Sequence, residues 1–217
     1  LDIVRIISLE EKEEIIKVQK GIISYIPKSL IQSMCWFLNA TSVLRYYEYN
    51  KPVSMLVHTS QMQIHHRNVA TAIAKWIDNT PLDRIIELCE EIYNKETERF
   101  DIDKFRKGFP NYPIPNEDLK DYPEFCDIKE YICELVEKIT HIPMDEEGEL
   151  NYHKGIHLCI DNSSNTGIND ENMHVRLAYP SSEKLIELNT SPGFIIVGGS
   201  TLSRGLTIEG LVSTYFL

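Results

Sequence analysis

The segment from Phe194 to Leu217 contains the residue types best suited to binding a phosphate group. An apolar run that ends at Gly198 predicts a buried strand, and a second glycine, Gly199, follows it. Glycine allows close approach to the backbone, while hydroxyl and guanidinium groups donate hydrogen bonds to phosphate oxygens. Three hydroxyl residues and an arginine come next: Ser200, Thr201, Ser203 and Arg204. The segment therefore predicts a phosphate-binding turn, although an ordinary turn with a surface arginine accounts for the same residues equally well.

Four compact apolar runs are interpreted as the strands that would position this turn. They extend from Val53 to Thr59, from Gly155 to Asp161, from Phe194 to Gly198 and from Val212 to Leu217, and Met173 to Ala178 is a candidate edge strand. Continuous apolar runs are typical of strands that are buried on both faces of a parallel sheet. Because helical segments separate the runs, the sequence predicts an α/β fold with a mainly parallel sheet flanked by helices. Turns at the carboxyl ends of central strands would then share the edge where such sheets bind ligands.

Apolar residues that recur at spacings of three and four predict the helices. These patterns extend from Lys28 to Tyr47, from Ser60 to Asp78, from Pro81 to Phe100 and from Asp127 to Ile142, with a short charged helix or linker from Ser8 to Lys20. Pro27 stands where a helix favours proline, and Ser60 is a candidate N-cap. Several prolines between Gly108 and Pro123 predict a loop there.

The composition is that of an ordinary globular protein, since 42% of the 217 residues are hydrophobic and 25% are charged. A chain of this length folds without disulfides or metals, so collagen, disordered and disulfide-scaffold classes are excluded. No apolar run approaches the ~20 residues of a membrane span, so no membrane partner is expected. The five cysteines share no CxxC spacing, which indicates reduced thiols in a cytoplasmic protein and no zinc site. His65 and His66 lack a nearby Cys or carboxylate at ligand spacing and are interpreted as surface or interlobe residues.

The acidic charge is concentrated between Thr80 and Leu150, where there are 20 acidic and 9 basic residues. The rest of the chain has 13 of each and is neutral. A solvated face is the simplest interpretation of the acidic block. Because such a block repels phosphates, a nucleic-acid surface is expected elsewhere on the molecule.

Two segments resemble known motifs. The first, from Phe194 to Leu217, is similar to motif V of superfamily-two helicases, and the matched positions include Arg204, Gly205, Ile208 and Gly210. Within it, GGSTLSRGLT from Gly198 to Thr207 resembles still more closely the hallmark of the Z-one domain, which occurs in bacterial proteins related to these helicases and is named as an endonuclease domain. The second, SMLVHTS from Ser54 to Ser60, is similar to motif IV of that family.

The resemblance implies that the chain is the second RecA-like lobe of a two-lobe motor. Residues 1–26 would be a linker or short helix, and residues 27–217 the lobe, interrupted by a helical acidic insertion at about residues 80–150. Nucleotide or interlobe contacts are then assigned to Arg204, Gly205 and Thr207. Nucleic-acid contacts are assigned to small residues of the two turns: Thr59, Ser60, Gly199, Ser200, Thr201 and Ser203.

The chain departs from the helicase pattern in ways that predict inactivity on its own. Thr207 stands where the second Asp of motif V helps to bind nucleotide. The phosphate loop GxxxxGK[ST], a DExx-type magnesium motif and the arginine-rich motif VI do not occur in the sequence. The chain also begins at Leu1 without Met and stops within an apolar run, which suggests a piece of a longer protein. We therefore expect no cofactor in this fragment, ATP and Mg²⁺ for the full protein, and two partners, namely DNA and an N-terminal motor lobe.

The motor lobe would act in DNA restriction or repair. Two alternatives to a motor lobe remain at this point. A metal-dependent DNA endonuclease needs clustered carboxylates, and Asp127-Ile128-Lys129 resembles the end of a D…(D/E)xK site with Asp118 or Asp121 as its partner. Asp127 is better interpreted as a helix N-cap. Asp161, at the end of a strand, is better placed than Asp127 for catalysis, but a turn residue is the simpler interpretation. The second alternative is a non-enzymatic module that uses the helical insertion to bind a protein. No catalytic residue and no metal ligand is assigned.

Overall fold

The computed structural model describes residues 3–58, 60, 62–161, 177–199 and 207–216. Within them lie seven α-helices, one 3₁₀ turn and five strands. The helices are α1 (Leu9–Gln19), α2 (Lys28–Tyr46), α3 (Gln63–Asn79), α4 (Leu82–Arg99), α5 (Ile102–Gly108), α6 (Phe125–Val136) and α7 (Ser182–Leu188), and the 3₁₀ turn is Asn116–Asp118. The strands are β1 (Val53–His58), β2 (Ile139–Thr140), β3 (Ile156–Asp161), β4 (Gly193–Gly198) and β5 (Leu211–Phe216).

The strands form one sheet, in the order β2-β3-β4-β1-β5, and every pairing is parallel. β4 and β1 are neighbours near the centre, and their last residues, Gly198 and His58, are in register. Asp161 at the end of β3 and Phe216 at the end of β5 lie in the same row. The predicted α/β fold with a parallel sheet is therefore confirmed, and four of its strands lie close to the predicted positions.

One face of the sheet is buried beneath helices. In β1 this face carries Val53, Met55 and Val57, which are completely buried in a core shared with α1, α2, α3, α4 and α6. Alternate residues of a strand point to opposite faces, so the intervening residues of β1 lie on the second face. The first face thus holds the main hydrophobic core.

Helices α4 and α6, which lie within the acidic segment, pack directly on α2. Their buried side chains belong to the same core as the sheet: Ile85, Ile86, Cys89, Ile92, Tyr93, Phe125, Ile128, Ile132 and Leu135. The charged residues of the two helices remain on the outer side, as expected for amphipathic helices. The acidic segment therefore shares the core of the sheet.

The second face of the sheet is covered by chain segments that carry aromatic side chains. Phe194 and Ile196 of β4 form a smaller cluster there, against which Tyr152, Tyr179 and Ile208 pack. Tyr179 also pairs its hydroxyl with Ser54 Oγ at 2.9 Å, and the ring packs edge-on against Phe194. These contacts hold the segments before α7 and before β5 on this face.

Arg45 of α2 fixes the amino edge of the sheet, although its side chain is almost completely buried. Its guanidinium donates to the carbonyl oxygens of Ser191 and Lys154, which precede β4 and β3, and it approaches Glu134 of α6 at 3.3 Å. Burial lowers the pKa of Arg45 to about 10, an effect that the charge of Glu134 partly offsets. One side chain therefore connects two helices with the starts of two strands.

A column of stacked rings lies at the amino end of β3. The rings of His153 and His157 are 4.1 Å apart, and His157 stacks on Phe194 at 4.8 Å. His157 Nδ1 donates to Gly193 O at 3.1 Å, and its Nε2 accepts from the backbone N–H of His153 at 3.1 Å. The neutral ring thus uses both of its nitrogens. Burial, and to a smaller extent the proximity of His153, lower the pKa of His157 to about 3.

The structure corrects several local predictions. The helix predicted up to Ile142 ends at Val136, because Ile139–Thr140 form β2 and pair with β3. Of the candidate edge strand from Met173 to Ala178, only Leu177 and Ala178 lie among the described residues, and both are outside the strands.

The two predicted N-caps are also wrong. Helix α3 starts at Gln63 after Met62, so Ser60 is not its cap residue. Helix α6 is preceded by Glu124, and Asp127 lies in its first turn.

All five cysteines lie in the described part of the chain, and none of them forms a disulfide. Within the described ranges, none of the helices is both long enough and apolar enough to cross a membrane.

Candidate functional site

The carboxyl ends of β1 and β4 are neighbours, and the strands that follow them along the chain lie on opposite sides of this pair, β2 beyond β4 and β5 beyond β1. The space outside these two strand ends is here called the crevice. After β1 the chain enters α3, which packs on the first face, whereas Ile208, which comes shortly before β5, packs on the second face. Adjacent parallel strands whose connections diverge in this way define a topological switch point, and open α/β sheets bind ligands in the crevice outside it.

The turn after β1 is held by two histidines of α3. The hydroxyl of Ser60 accepts from the backbone N–H of Met62 at 3.1 Å and pairs with His65 Nδ1 at 2.8 Å. The backbone oxygen of Ser60 accepts from His66 Nε2 at 2.6 Å. His66 is only 2% exposed, which corrects its interpretation as a surface or interlobe residue. Both polar groups of Ser60 are therefore fixed by the start of α3.

A third histidine, His58, lies at the end of β1 and stacks on Phe216 at the end of β5. The two ring centroids are 4.5 Å apart and the rings are nearly parallel, at 14°. Nδ1 of His58 and Nδ1 of His66 are buried and have no hydrogen-bond partner among the described residues. Imidazole nitrogens that lack a protein partner can bind a ligand or water.

The amino end of α3 faces the same edge of the sheet, since α3 begins five residues after the end of β1. Met62, the N-cap residue of α3, forms no capping hydrogen bond through its side chain, and the first turn of the helix contains no acidic residue. The first N–H groups of a helix have no partner within the helix and carry partial positive charge. With His65 beside them, they favour a negatively charged ligand.

The β4 side of the crevice is lined by backbone. Gly198 ends the strand and Gly199 follows it, and both are buried. Asp161 is in register with Gly198 as the last residue of β3. Because glycine has no side chain, a ligand beyond the strand end could approach this backbone more closely than at any other residue type.

Of the residues predicted to bind nucleic acid, the structure brings Ser60 and Gly199 to the ends of two neighbouring strands. The other predicted site residues of the two turns lie outside the described residues: Thr59, Ser200, Thr201, Ser203, Arg204 and Gly205.

Thr207 is among the described residues, and it lies away from the crevice. It is exposed and precedes Glu209, whose backbone N–H donates to the hydroxyl of Tyr179 at 3.1 Å. That hydroxyl pairs with Ser54 near the start of β1, so Thr207 lies toward the amino half of the sheet.

The carboxylates of the nuclease alternative are exposed on the helical side of the molecule. Asp118 ends the 3₁₀ turn, Asp121 follows it, and Asp127 lies in the first turn of α6. Among the described residues, no group of three or more His, Cys, Asp or Glu side chains is arranged to hold a metal ion.

Sequence reasoning missed the roles of His58 and His66. The spacing of His66 on α3 places it with the buried residues Val69, Ala70 and Ile73, which was the available signal for burial. The stacking of His58 on Phe216 depends on the pairing of β1 with β5, which no local pattern indicates.

The profile of the Z1 domain matches residues 29–217. The chain belongs to the Z1 domain family. The match includes both turns of the crevice, so the switch point lies inside the Z1 domain. No curated protein and no solved structure is similar enough to this chain to count as a match.

Proposed function

We propose that this Z1 domain is a RecA-like lobe that binds the phosphate backbone of DNA in the crevice beyond β1 and β4. The observation that carries the proposal is the switch point between these strands, because it predicts where a ligand binds independently of any motif. The amino end of α3, whose first turn contains no acidic residue, and the two glycines at the end of β4 support phosphate as the ligand.

Binding through backbone N–H groups, hydroxyls and imidazoles would not read the bases. Contacts to phosphate position a protein on nucleic acid but carry no sequence information. Affinity would be sensitive to salt and modest, roughly 10⁻⁴–10⁻⁶ M, as for other non-specific sites. The acidic segment opposes binding on the helical side, so the crevice is the favoured surface.

The motor function extends this proposal to the full protein. ATP and Mg²⁺ would be bound mainly by an N-terminal lobe, with Arg204 and Gly205 reaching the nucleotide across the cleft. Thr207 is a weaker candidate for this contact, because its backbone neighbours hold it toward the amino half of the sheet. This chain alone would hydrolyse neither ATP nor DNA. Among the described residues, no specific contact favours the nuclease alternative.

The experiment is a titration of fluorescein-labelled oligothymidylate into the chain and into three single variants, at salt concentrations between about 50 and 200 mM. Ser200→Glu adds a negative charge to the turn after β4 and should weaken binding at low salt by roughly fivefold or more. Arg204→Ala removes a cation close to this turn, and because Arg204 is assigned to the nucleotide it should weaken DNA binding by less than Ser200→Glu does.

Ser182→Glu is the matched control, since Ser182 is an exposed serine in the first turn of α7. It adds the same charge to the chain and should leave the affinity unchanged. If Ser200→Glu and Ser182→Glu bind equally well at low salt, the crevice is not the phosphate site. If only Arg204→Ala is silent, the arginine braces the turn and does not contact DNA.

A further inference from the structure

A groove separate from the crevice lies between α2, α4 and the segment that leads into α6. It consists of two adjoining cavities that share Tyr93 and Tyr122 as common walls. The first, here called the apolar cavity, has a volume of about 320 Å³ and is also lined by Trp36, Val43 and Val212. This volume is within the range of natural ligand sites.

The second cavity, here called the acidic cavity, has a volume of about 490 Å³ and a polar lining. Glu90 of α4 and Glu124 at the start of α6 are exposed at its walls. Both residues belong to the acidic segment, which carries 20 acidic and 9 basic residues. The acidic cavity therefore favours a cation and disfavours a phosphate.

The wall between the two cavities is fixed. The hydroxyl of Tyr93 donates to Pro123 O at 2.6 Å, and the ring packs edge-on against Tyr122 at 6.2 Å. Tyr93 is 3% exposed, so its ring is held in place before any ligand arrives. A preformed groove loses less conformational freedom on binding.

One residue that lines the apolar cavity has an amide oxygen without a hydrogen-bond partner among the described residues. Asn39 lines this cavity and is completely buried. Its Nδ2 donates to Cys89 O at 2.8 Å, but its Oδ1 has no hydrogen-bond partner among the described residues. A buried acceptor without a partner destabilises the free protein, and a ligand that supplies an N–H would remove this penalty.

We propose that the groove binds a segment of a partner protein in which tryptophan is flanked by lysine or arginine. The indole ring would pack against the aromatic walls of the apolar cavity, and its single N–H would donate to Asn39 Oδ1. The neighbouring cationic side chains would meet Glu90 and Glu124. Tryptophan buried in a pocket is also a frequent source of affinity at protein interfaces.

Three synthetic peptides test the chemistry against the full chain by isothermal titration calorimetry. Their cores are Lys-Trp-Lys, Lys-(1-naphthylalanine)-Lys and Glu-Trp-Glu. The naphthyl peptide keeps the size of the ring but lacks the N–H, so it should bind roughly tenfold more weakly than Lys-Trp-Lys. Glu-Trp-Glu should bind more weakly still, since its charges are repelled by the acidic cavity.

Two variants locate the site. Ala40→Trp places a large side chain in the apolar cavity, which Ala40 lines, and should abolish binding of Lys-Trp-Lys. The double variant Glu90→Lys/Glu124→Lys should weaken binding roughly tenfold. Its matched control is Glu13→Lys/Glu187→Lys, which makes the same charge change at exposed positions of α1 and α7 and should bind like the unmodified chain.

The charge variants alter exposed residues, so they remain informative if Ala40→Trp does not fold. Equal binding of the Lys-Trp-Lys and Glu-Trp-Glu peptides would overturn the proposal. So would equal binding by Glu90→Lys/Glu124→Lys and its control. Binding of oligothymidylate alone that Ala40→Trp abolishes and Ser200→Glu leaves unchanged would assign the groove to nucleic acid and would overturn it too. None of these outcomes depends on DNA binding in the crevice, because the groove and the crevice share no lining residue.

Discussion

His66 donates a hydrogen bond from Nε2 to the backbone oxygen of Ser60, across 2.6 Å. A carbonyl oxygen can only accept, so the proton is on Nε2. The Ser60 hydroxyl is bound in turn to Met62 N and His65 Nδ1. The turn at the end of β1 is therefore held in one conformation before a ligand binds, which lowers the entropy that binding costs.

Replacement of His66 by Phe should therefore weaken both the fold and the proposed phosphate site. The ring volume is retained, but the bond to Ser60 O is lost, so the free energy of unfolding should fall by about 1–2 kcal/mol. Affinity for oligothymidylate should fall several-fold, because the turn becomes free to move. Urea denaturation and fluorescence titration measure the two effects. Ile64→Ala is the control, since Ile64 lies in the same turn of α3 but is 53% exposed. Equal affinities for the two variants would show that the turn does not need His66.

Gly210 and Gly148 provide a matched pair for testing the start of β5. Both have positive φ, 57° for Gly210 and 85° for Gly148. A Cβ at Gly210 would lie 2.1 Å from Pro52 O, whereas a Cβ at Gly148 would meet nothing within 4 Å. Gly148→Ala should therefore lower the free energy of unfolding by about 1–2 kcal/mol, which is the backbone strain alone.

Gly210→Ala should cost more, because Gly210 O also accepts from Ser54 N at 2.8 Å and begins the pairing of β5 with β1. We expect a loss of about 3–5 kcal/mol, the sum of strain and of a clash with fixed backbone. Thermal or urea unfolding of the two variants measures the difference. If both glycines cost the same, the contact with Pro52 is not tight in solution.

The central strands could be predicted from sequence because their apolar runs have a single physical explanation. In β4 every residue from Gly193 to Gly198 is buried, and a short run rich in β-branched residues and bounded by glycines favours a strand covered on both faces over a buried helix. Gly210 is one of the positions that match motif V, and the requirement for glycine there also has a local physical reason, namely the close approach to Pro52. These features are encoded by neighbours in sequence.

Other features depend on contacts between distant residues, and local patterns could not show them. Ile139 continues the helical spacing of α6, yet pairing with Ile156 of β3 makes it part of a strand. The groove forms only because α2 packs on α4. This packing brings Asn39 and Tyr93, which are 54 residues apart in sequence, to the same cavity. Tertiary pairing overrides local propensity in such places.

Arg45 provides a test of how strongly the amino edge of the sheet is held. Arg45→Met fills similar volume but leaves the carbonyl oxygens of Ser191 and Lys154 without their donor. Since each buried acceptor left unpaired costs about 1–3 kcal/mol, we expect a loss of about 2–4 kcal/mol in urea denaturation. Glu134→Gln should cost less than about 1 kcal/mol, because the side chain of Glu134 is 40% exposed. A larger cost for Glu134→Gln would mean that the ion pair, and not the carbonyl contacts, holds the edge.

The buried histidine His157 should make the fold sensitive to acid. Its pKa is lowered to about 3 by burial, below the value of 6.5 expected in the unfolded chain. Above pH 6.5 neither state is protonated at this ring, so its contribution to stability is complete there. As the pH falls from 6.5 toward 3, the unfolded state binds a proton that the folded state does not, and stability is lost. Because His157 is completely buried, the loss should approach about 1.4 kcal/mol per pH unit.

His157→Gln tests this prediction, because a glutamine can donate to Gly193 O and accept from His153 N, as the neutral ring does, but does not titrate. The free energy of unfolding should be measured in urea at pH 7 and at pH 5. Carboxylates titrate in both proteins, so the comparison rests on the difference between the two slopes. The variant should lose about 1–2 kcal/mol less than the unmodified chain between these pH values. Equal losses would show that His157 is protonated in the folded state at pH 5, and hence that the ring column opens to water before the chain unfolds.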